Sequence, residues 1–223
     1  MKLALALALC LAACGSAQTT APAKPDVQAD VRAAEDAERA RRHDIARAKY
    51  EQAVADARDP QSAGFANFRF GETLATWGEY AEALRHLERA TAATPGEASA
   101  WYDLGIVRAH EGAAGAVAAL ERAKSLAPTD WRPRVALGAL HWKLAAHCYR
   151  GADRADRAEP ASDACAPEVA AASAEYRGLL ALDLPERLRA KVEWALGELA
   201  KPRADVRPAL PSDVEPPAPA PSP

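Results

Sequence analysis

Bulky side chains are what this chain has least of. Its 223 residues include one Met, three Phe, five Tyr and five Trp, so aromatics make up 6% of the sequence and a conventional single globule is not expected. The nominal 49% hydrophobic content is largely methyl groups, because 58 residues are alanine. A surplus of one charge is also missing. Lys and Arg total 28 against 31 Asp and Glu, a formal net charge of −3. That balance removes the basic excess on which nucleic-acid binding depends, so no nucleic-acid partner is expected. Catalytic patterns are absent too: serine occurs in no nucleophile-elbow context and no glycine-rich phosphate loop is present. His43, His86, His110, His141 and His147 are scattered. His141 and His147 with Cys148 and Cys165 match no zinc spacing, and Asp153, Asp156 and Asp163 no calcium loop. Neither catalytic nor metal-ligating residues are expected, and no cofactor. What remains, between ends crowded with proline, is a long stretch of Ala, Glu, Arg and Leu that reads as helical.

The N-terminus carries the compartment signal. Met1 and Lys2 precede the apolar run Leu3 to Ala13, 11 residues long. That is too short for a span, which needs about 20 residues, and suits the core of a signal peptide. The run ends in Leu11-Ala12-Ala13-Cys14, which resembles the lipobox of bacterial lipoproteins. Cys10 follows the bulky Leu9 and fits that pattern worse. The resemblance implies cleavage of residues 1–13, a diacylglycerol on Cys14 and a third acyl chain, such as palmitate, on its amino group. Three chains exceed the two signals that stable anchoring takes. Gly15 stands where an Asp would resemble the inner-membrane retention signal, so the implied location is the outer membrane, facing the periplasm. The other reading is an ordinary signal peptide with a chance cysteine.

Residues 14–25 then read as a lipidated tether, and 201–223 as a proline-rich tail that lacks the amide donors needed to fold. The tail is either a disordered end or a partner ligand or spacer. Cys148 and Cys165 flank a polar stretch without apolar periodicity, an insert over 149–165. In an oxidising compartment they are expected to be bridged, holding two helices around the insert.

Self-comparison of the middle of the chain shows a beat. Phe70-Gly71, Leu104-Gly105 and Leu137-Gly138 recur at intervals of 34 and 33 residues, and Pro95 and Pro128 keep the same spacing. In one unit Gly71, Leu74, Ala83, Leu87, Ala90 and Pro95 take the small, bulky, small, bulky, small and proline positions of tetratricopeptide repeats. The next has Trp101, Leu104, Gly105, Ala116, Leu120, Ala123 and Pro128. A weaker first unit has Ala34, Ala46, Tyr50 and Ala53, with Pro60 displaced by two. A fourth begins with Leu137 and Gly138 and is expected to place its second helix at about Pro167 to Leu182, after the insert. A final helix from Pro185 to Ala200, through Leu188, Val192, Trp194, Leu196 and Leu199, resembles a solvating cap.

The chain thus resembles a tetratricopeptide-repeat lipoprotein, and the resemblance implies an all-α helix-hairpin solenoid over residues 26–200. Small residues let helices cross closely, so Gly71 and Gly105 are expected to face Ala83 and Ala116, with Phe70, Leu87, Leu104 and Leu120 filling the space between. A plain alanine-rich bundle is the alternative. In the family the first helices of the hairpins line a groove for a peptide or helix. Its positions here fall on Phe68, Arg69, Glu72, Tyr102, Asp103, Ile106, His110, Arg132, Val135, Trp142 and Lys143. Phe68, Tyr102 and Trp142 would be the anchors and Arg69 and Lys143 the carboxylate contacts, although Phe68 or Trp142 can equally pack between repeats. The groove lacks the asparagine found in repeats that clamp acidic chaperone tails. Arg39, Arg41 and Arg42 are offset by Glu35, Asp36, Glu38 and Asp44, as on a solvated face.

The function so implied is non-enzymatic. The expectation is a scaffold or assembly factor of an envelope complex, like the lipoproteins that act as pilotins or adaptors, with a protein or peptide in the groove and the membrane held through the lipid. The alternative is an accessory subunit of a cell-wall enzyme, or one associated with peptidoglycan.

Overall fold

The computed structural model describes residues 26–112, 114–154 and 161–201. The signal peptide, Cys14, the tether and almost all of the tail lie outside them. Among the described residues the chain is all-helical: α1 (Val27–Arg39), α2 (His43–Asp56), α3 (Pro60–Thr76), α4 (Tyr80–Ala93), α5 (Ala98–His110), α6 (Ala116–Leu126), α7 (Arg132–Arg154), α8 (Ala161–Leu180) and α9 (Glu186–Leu199). Consecutive helices pack as four hairpins, α1 with α2 through α7 with α8, and each hairpin packs on the next, with α9 against α8. The arrangement is a helix-hairpin solenoid, as expected.

Local chemistry sets the helix ends. Asp26 accepts from the Ala29 amide at 3.1 Å and caps α1. Asp59 accepts from the Ser62 amide at 2.9 Å, with Pro60 at the first position of α3, where its missing N–H costs nothing. Pro60 therefore starts a helix, whereas Pro95 and Pro128 follow the ends of α4 and α6.

Inside three of the hairpins the turn falls at one register. Seven residues after Ala34, Gly71 and Gly105 stand Arg41, Gly78 and Gly112, and all three have positive φ, at 56°, 81° and 64°. Glycine takes this left-handed conformation freely, while an L side chain pays roughly 1 to 2 kcal/mol. Arg41→Gly is therefore expected to stabilise the first hairpin, by about 1 kcal/mol once the looser unfolded chain is counted; chemical denaturation measures it. The equivalent position of the fourth unit is Ala145, a strong helix former, and there α7 does not turn but runs on to Arg154.

That continuation corrects the expected insert. Helical backbone occupies 149–154 and resumes at Ala161, so the second helix starts six residues ahead of the expected Pro167, which lies inside α8. A disulfide joins Cys148 to Cys165 across the two helices, with Cα atoms 5.8 Å apart. His141 Nδ1 lies 2.6 Å from a Glu168 oxygen in the same hairpin.

The glycine positions also need one correction. A Cβ on Gly71 would lie 2.8 Å from Leu87 Cγ, and on Gly105 2.6 Å from Leu120 Cγ, so the glycines meet these leucines, one turn beyond the expected Ala83 and Ala116. A Cβ on Gly138 would lie 2.6 Å from the Tyr176 ring. The three glycines hold equivalent places, and Ala172, Tyr176 and Leu179 repeat the spacing of Ala83, Leu87 and Ala90. Ala83, Ala90, Leu104, Ala116, Ala123 and Leu137 are buried. Trp101 is half-buried and donates from Nε1 to the Pro95 carbonyl at 3.0 Å.

The last hairpin is locked by charge as well. Buried Glu175 on α8 accepts from Lys124 Nζ at 2.7 Å and from Arg134 Nη1 at 3.1 Å, joining α6, α7 and α8. The cap α9 buries Leu188, Val192, Ala195 and Leu199. Trp194, expected on that buried face, is 39% exposed and stacks on Trp142 at 6.4 Å.

Candidate functional site

The first helices α1, α3, α5 and α7 touch one another in succession, whereas the second helices do not approach each other as closely. A stack whose first helices converge is curved toward them, so their free sides line its inner face.

On that face a cleft of about 410 Å³ opens between α1, α3 and the α4–α5 connection. Val31, Phe65 and Phe68 form its apolar floor; Arg32, Glu35, Arg69 and Glu97 are its charged rim. Phe65 is 36% exposed, one of four large apolar side chains that are exposed among the described residues. It lies one turn before Phe68, and that three-residue spacing was the signal in the sequence for a second ring on the same side. The cleft depends on close packing at its end. A Cβ on Gly64 would lie 2.5 Å from Thr94, so only glycine permits this approach of α3 to the connection.

Arg69 links the cleft to the middle of the face. It donates to Glu35 Oε1 from Nε at 2.9 Å and from Nη2 at 2.7 Å, and to Glu72 from Nη1 at 2.5 Å. Beyond it, on α5, stand Tyr102, Asp103 and Ile106, all partly buried. Arg132 opens α7 with its guanidinium 5.4 Å from the Tyr102 ring centroid. It is held by Asp130, with side-chain bonds of 2.7 to 3.1 Å.

The electrostatics single out Asp103. Burial, and then the carboxylate of Glu72, push its carboxyl up to about 7, against the pull of Arg132 and Arg69. Burial, with Asp103 beside it, likewise raises the Tyr102 phenol to about 12. Among the described residues Asp103 has no hydrogen-bonding partner. Its folded-state value stands above the unfolded carboxylate's roughly 3.9, so the folded chain holds the extra proton. The stability this gives is full below about pH 4 and lost as pH rises through 7. Asp103→Asn is therefore expected to raise the melting temperature at pH 8 and leave it unchanged near pH 4.

The remaining expected groove residues divide. Lys143 is exposed on α7, and Ile106 packs at the edge of a small core of Leu120, Ala136 and Leu137. His110 is exposed at the end of α5, its ring 4.0 Å from that of Tyr80 on α4. Val135 and Trp142 are each 3% exposed and belong to the core around Tyr176, so neither lines a groove. The reason is that α7 is the last first helix. Both α8 and α9 close over its side, and Trp142 lies between Tyr176 and Trp194.

No protein-family profile and no curated protein matches the chain. Among solved structures it is similar to a crystal structure of a candidate protein-binding protein from Bacteroides ovatus, 11% identical, with 82% of this chain and 100% of that one covered at a TM-score of 0.48.

Proposed function

We propose that this chain is a tetratricopeptide-type lipoprotein that binds a segment of another protein on its inner face and so acts as a scaffold or assembly factor in an envelope complex. The observation that carries the reading is the cleft between α1 and α3, where Phe65 and Phe68 leave apolar surface open beside paired charges. Interface energies concentrate on such anchors, an aromatic pocket rimmed by polar groups that orient the ligand. The lipobox-like Leu11-Ala12-Ala13-Cys14 supports anchoring at the outer membrane through acyl chains on Cys14.

The test is a pull-down from detergent-solubilised envelope with the wild-type chain and a Phe65, Phe68 and Tyr102 triple-alanine variant. A partner captured by the first and lost from the second is expected, with melting curves showing that the variant folds. A partner retained by the folded variant would remove the inner face from the account. Mass spectrometry of the mature N-terminus tests the lipid on Cys14 independently.

A further inference from the structure

The cations near Asp103 are already committed. Arg69 holds Glu35 and Glu72, and Arg132 holds Asp130. Around Asp103 this leaves four carboxylates, Glu35, Glu72, Asp103 and Asp130, against two guanidiniums. The cleft rim adds Arg32 and Glu97, one charge of each sign. The inner face therefore carries an unmatched negative charge at its middle, next to an open apolar cleft, and Arg69 borders both.

We propose that this face takes a protein segment that presents a lysine or arginine to Asp103 while an apolar side chain of the same segment fills the cleft at Phe65 and Phe68. The proposal rests on the inner face being a binding groove and adds the chemistry of what it binds. A cation placed there pairs with the one of these four carboxylates that no side chain of the fold satisfies. An acidic segment would instead meet Glu72 and Asp103 together, and like charges brought close on docking reject a partner. Asp103 destabilises the free protein above neutral pH, a cost that a bound cation relieves.

The experiment titrates the full chain at pH 8 against three fluorescein-labelled decapeptide pools. All have the same leucine and phenylalanine content, with lysine and arginine, serine and glutamine, or aspartate and glutamate at the other positions. The basic pool is expected to bind roughly tenfold tighter than the neutral one, and the acidic pool weakest. Asp103→Asn should remove most of that tenfold gain, and Glu72→Gln should remove part of it. Asp44→Asn, an exposed position on α2, should change nothing, which separates Asp103 from the net charge of the chain. Should Asp103→Asn fail to fold, Glu72→Gln carries the comparison. A basic preference that survives both substitutions overturns the proposal, as does spermidine competing as well as the basic peptides. Equal binding of basic and neutral pools, abolished by Phe65→Ala with Phe68→Ala, also overturns it but leaves the groove standing. Binding by no pool removes the groove reading itself.

Discussion

Gly105→Leu is expected to lower the unfolding free energy by about 3 kcal/mol, and Gly105→Ala by about 1 to 2 kcal/mol. Alanine gains up to roughly 1 kcal/mol over glycine in a helix interior, so any net loss has to come from packing. The packing is explicit: a Cβ on Gly105 would stand 2.6 Å from Leu120 Cγ and 3.2 Å from the Leu120 backbone nitrogen. The leucine tip can rotate aside, but the backbone atom moves only if α5 and α6 separate. Gly197 in α9 supplies the control, because a Cβ there meets nothing within 4 Å. Gly197→Ala is expected to stabilise by up to about 1 kcal/mol, so the same substitution should have opposite signs at two helical glycines. Urea melts of the variants decide it; a stabilising Gly105→Ala would mean that the helices are not held at this spacing.

The second large effect is expected at the far end. Replacing Cys148 and Cys165 together with alanine should cost about 3 kcal/mol in the chain-entropy model, given a sequence separation of 17 residues. The loss should be local. Each hairpin is stabilised mainly by its neighbours, so hydrogen exchange is expected to quicken in α7 and α8 while α1 to α4 keep their protection. The bridge matters here more than elsewhere, because α8 contains Pro167, which cannot donate to the carbonyl four residues before it, and buried Cys165 lies two residues ahead of that break. Uniform loosening along the chain would show instead that the solenoid melts as a single unit.

Much of the fold was legible in the chain because its signals are local and repeated. A glycine or alanine that must let two helices touch, followed by a small-bulky-small triplet in the next helix, leaves a periodic trace whether or not the helices are long. Ala172, Tyr176 and Leu179 keep the spacing of that triplet, but with the bulky Leu179 at its third place and a polar stretch ahead of it the trace is obscured. A polar stretch need not lose its helix: no left-handed turn residue stands at Ala145, and α7 runs on to Arg154.

The inner face is less legible in the sequence. Phe68 and Arg69 line the cleft, but Trp142 and Val135 are in the core. Position within a repeat does not reveal which repeat is last, and it is the last one that α8 and α9 cover. The cleft brings Phe65 together with α1 residues and the α4–α5 connection, segments distant in the chain that the repeat pattern does not link.

By itself the sequence determined the helical class, the register of the hairpins and the small residues that set their spacing, because each of these follows from the size and backbone preference of residues at fixed intervals. The tertiary structure alone decided which aromatics line the cleft and which are core, and that Asp103 stands partly buried with both nearby arginines already engaged. Burial and electrostatic surroundings come from helices distant in the chain, and no local pattern records them.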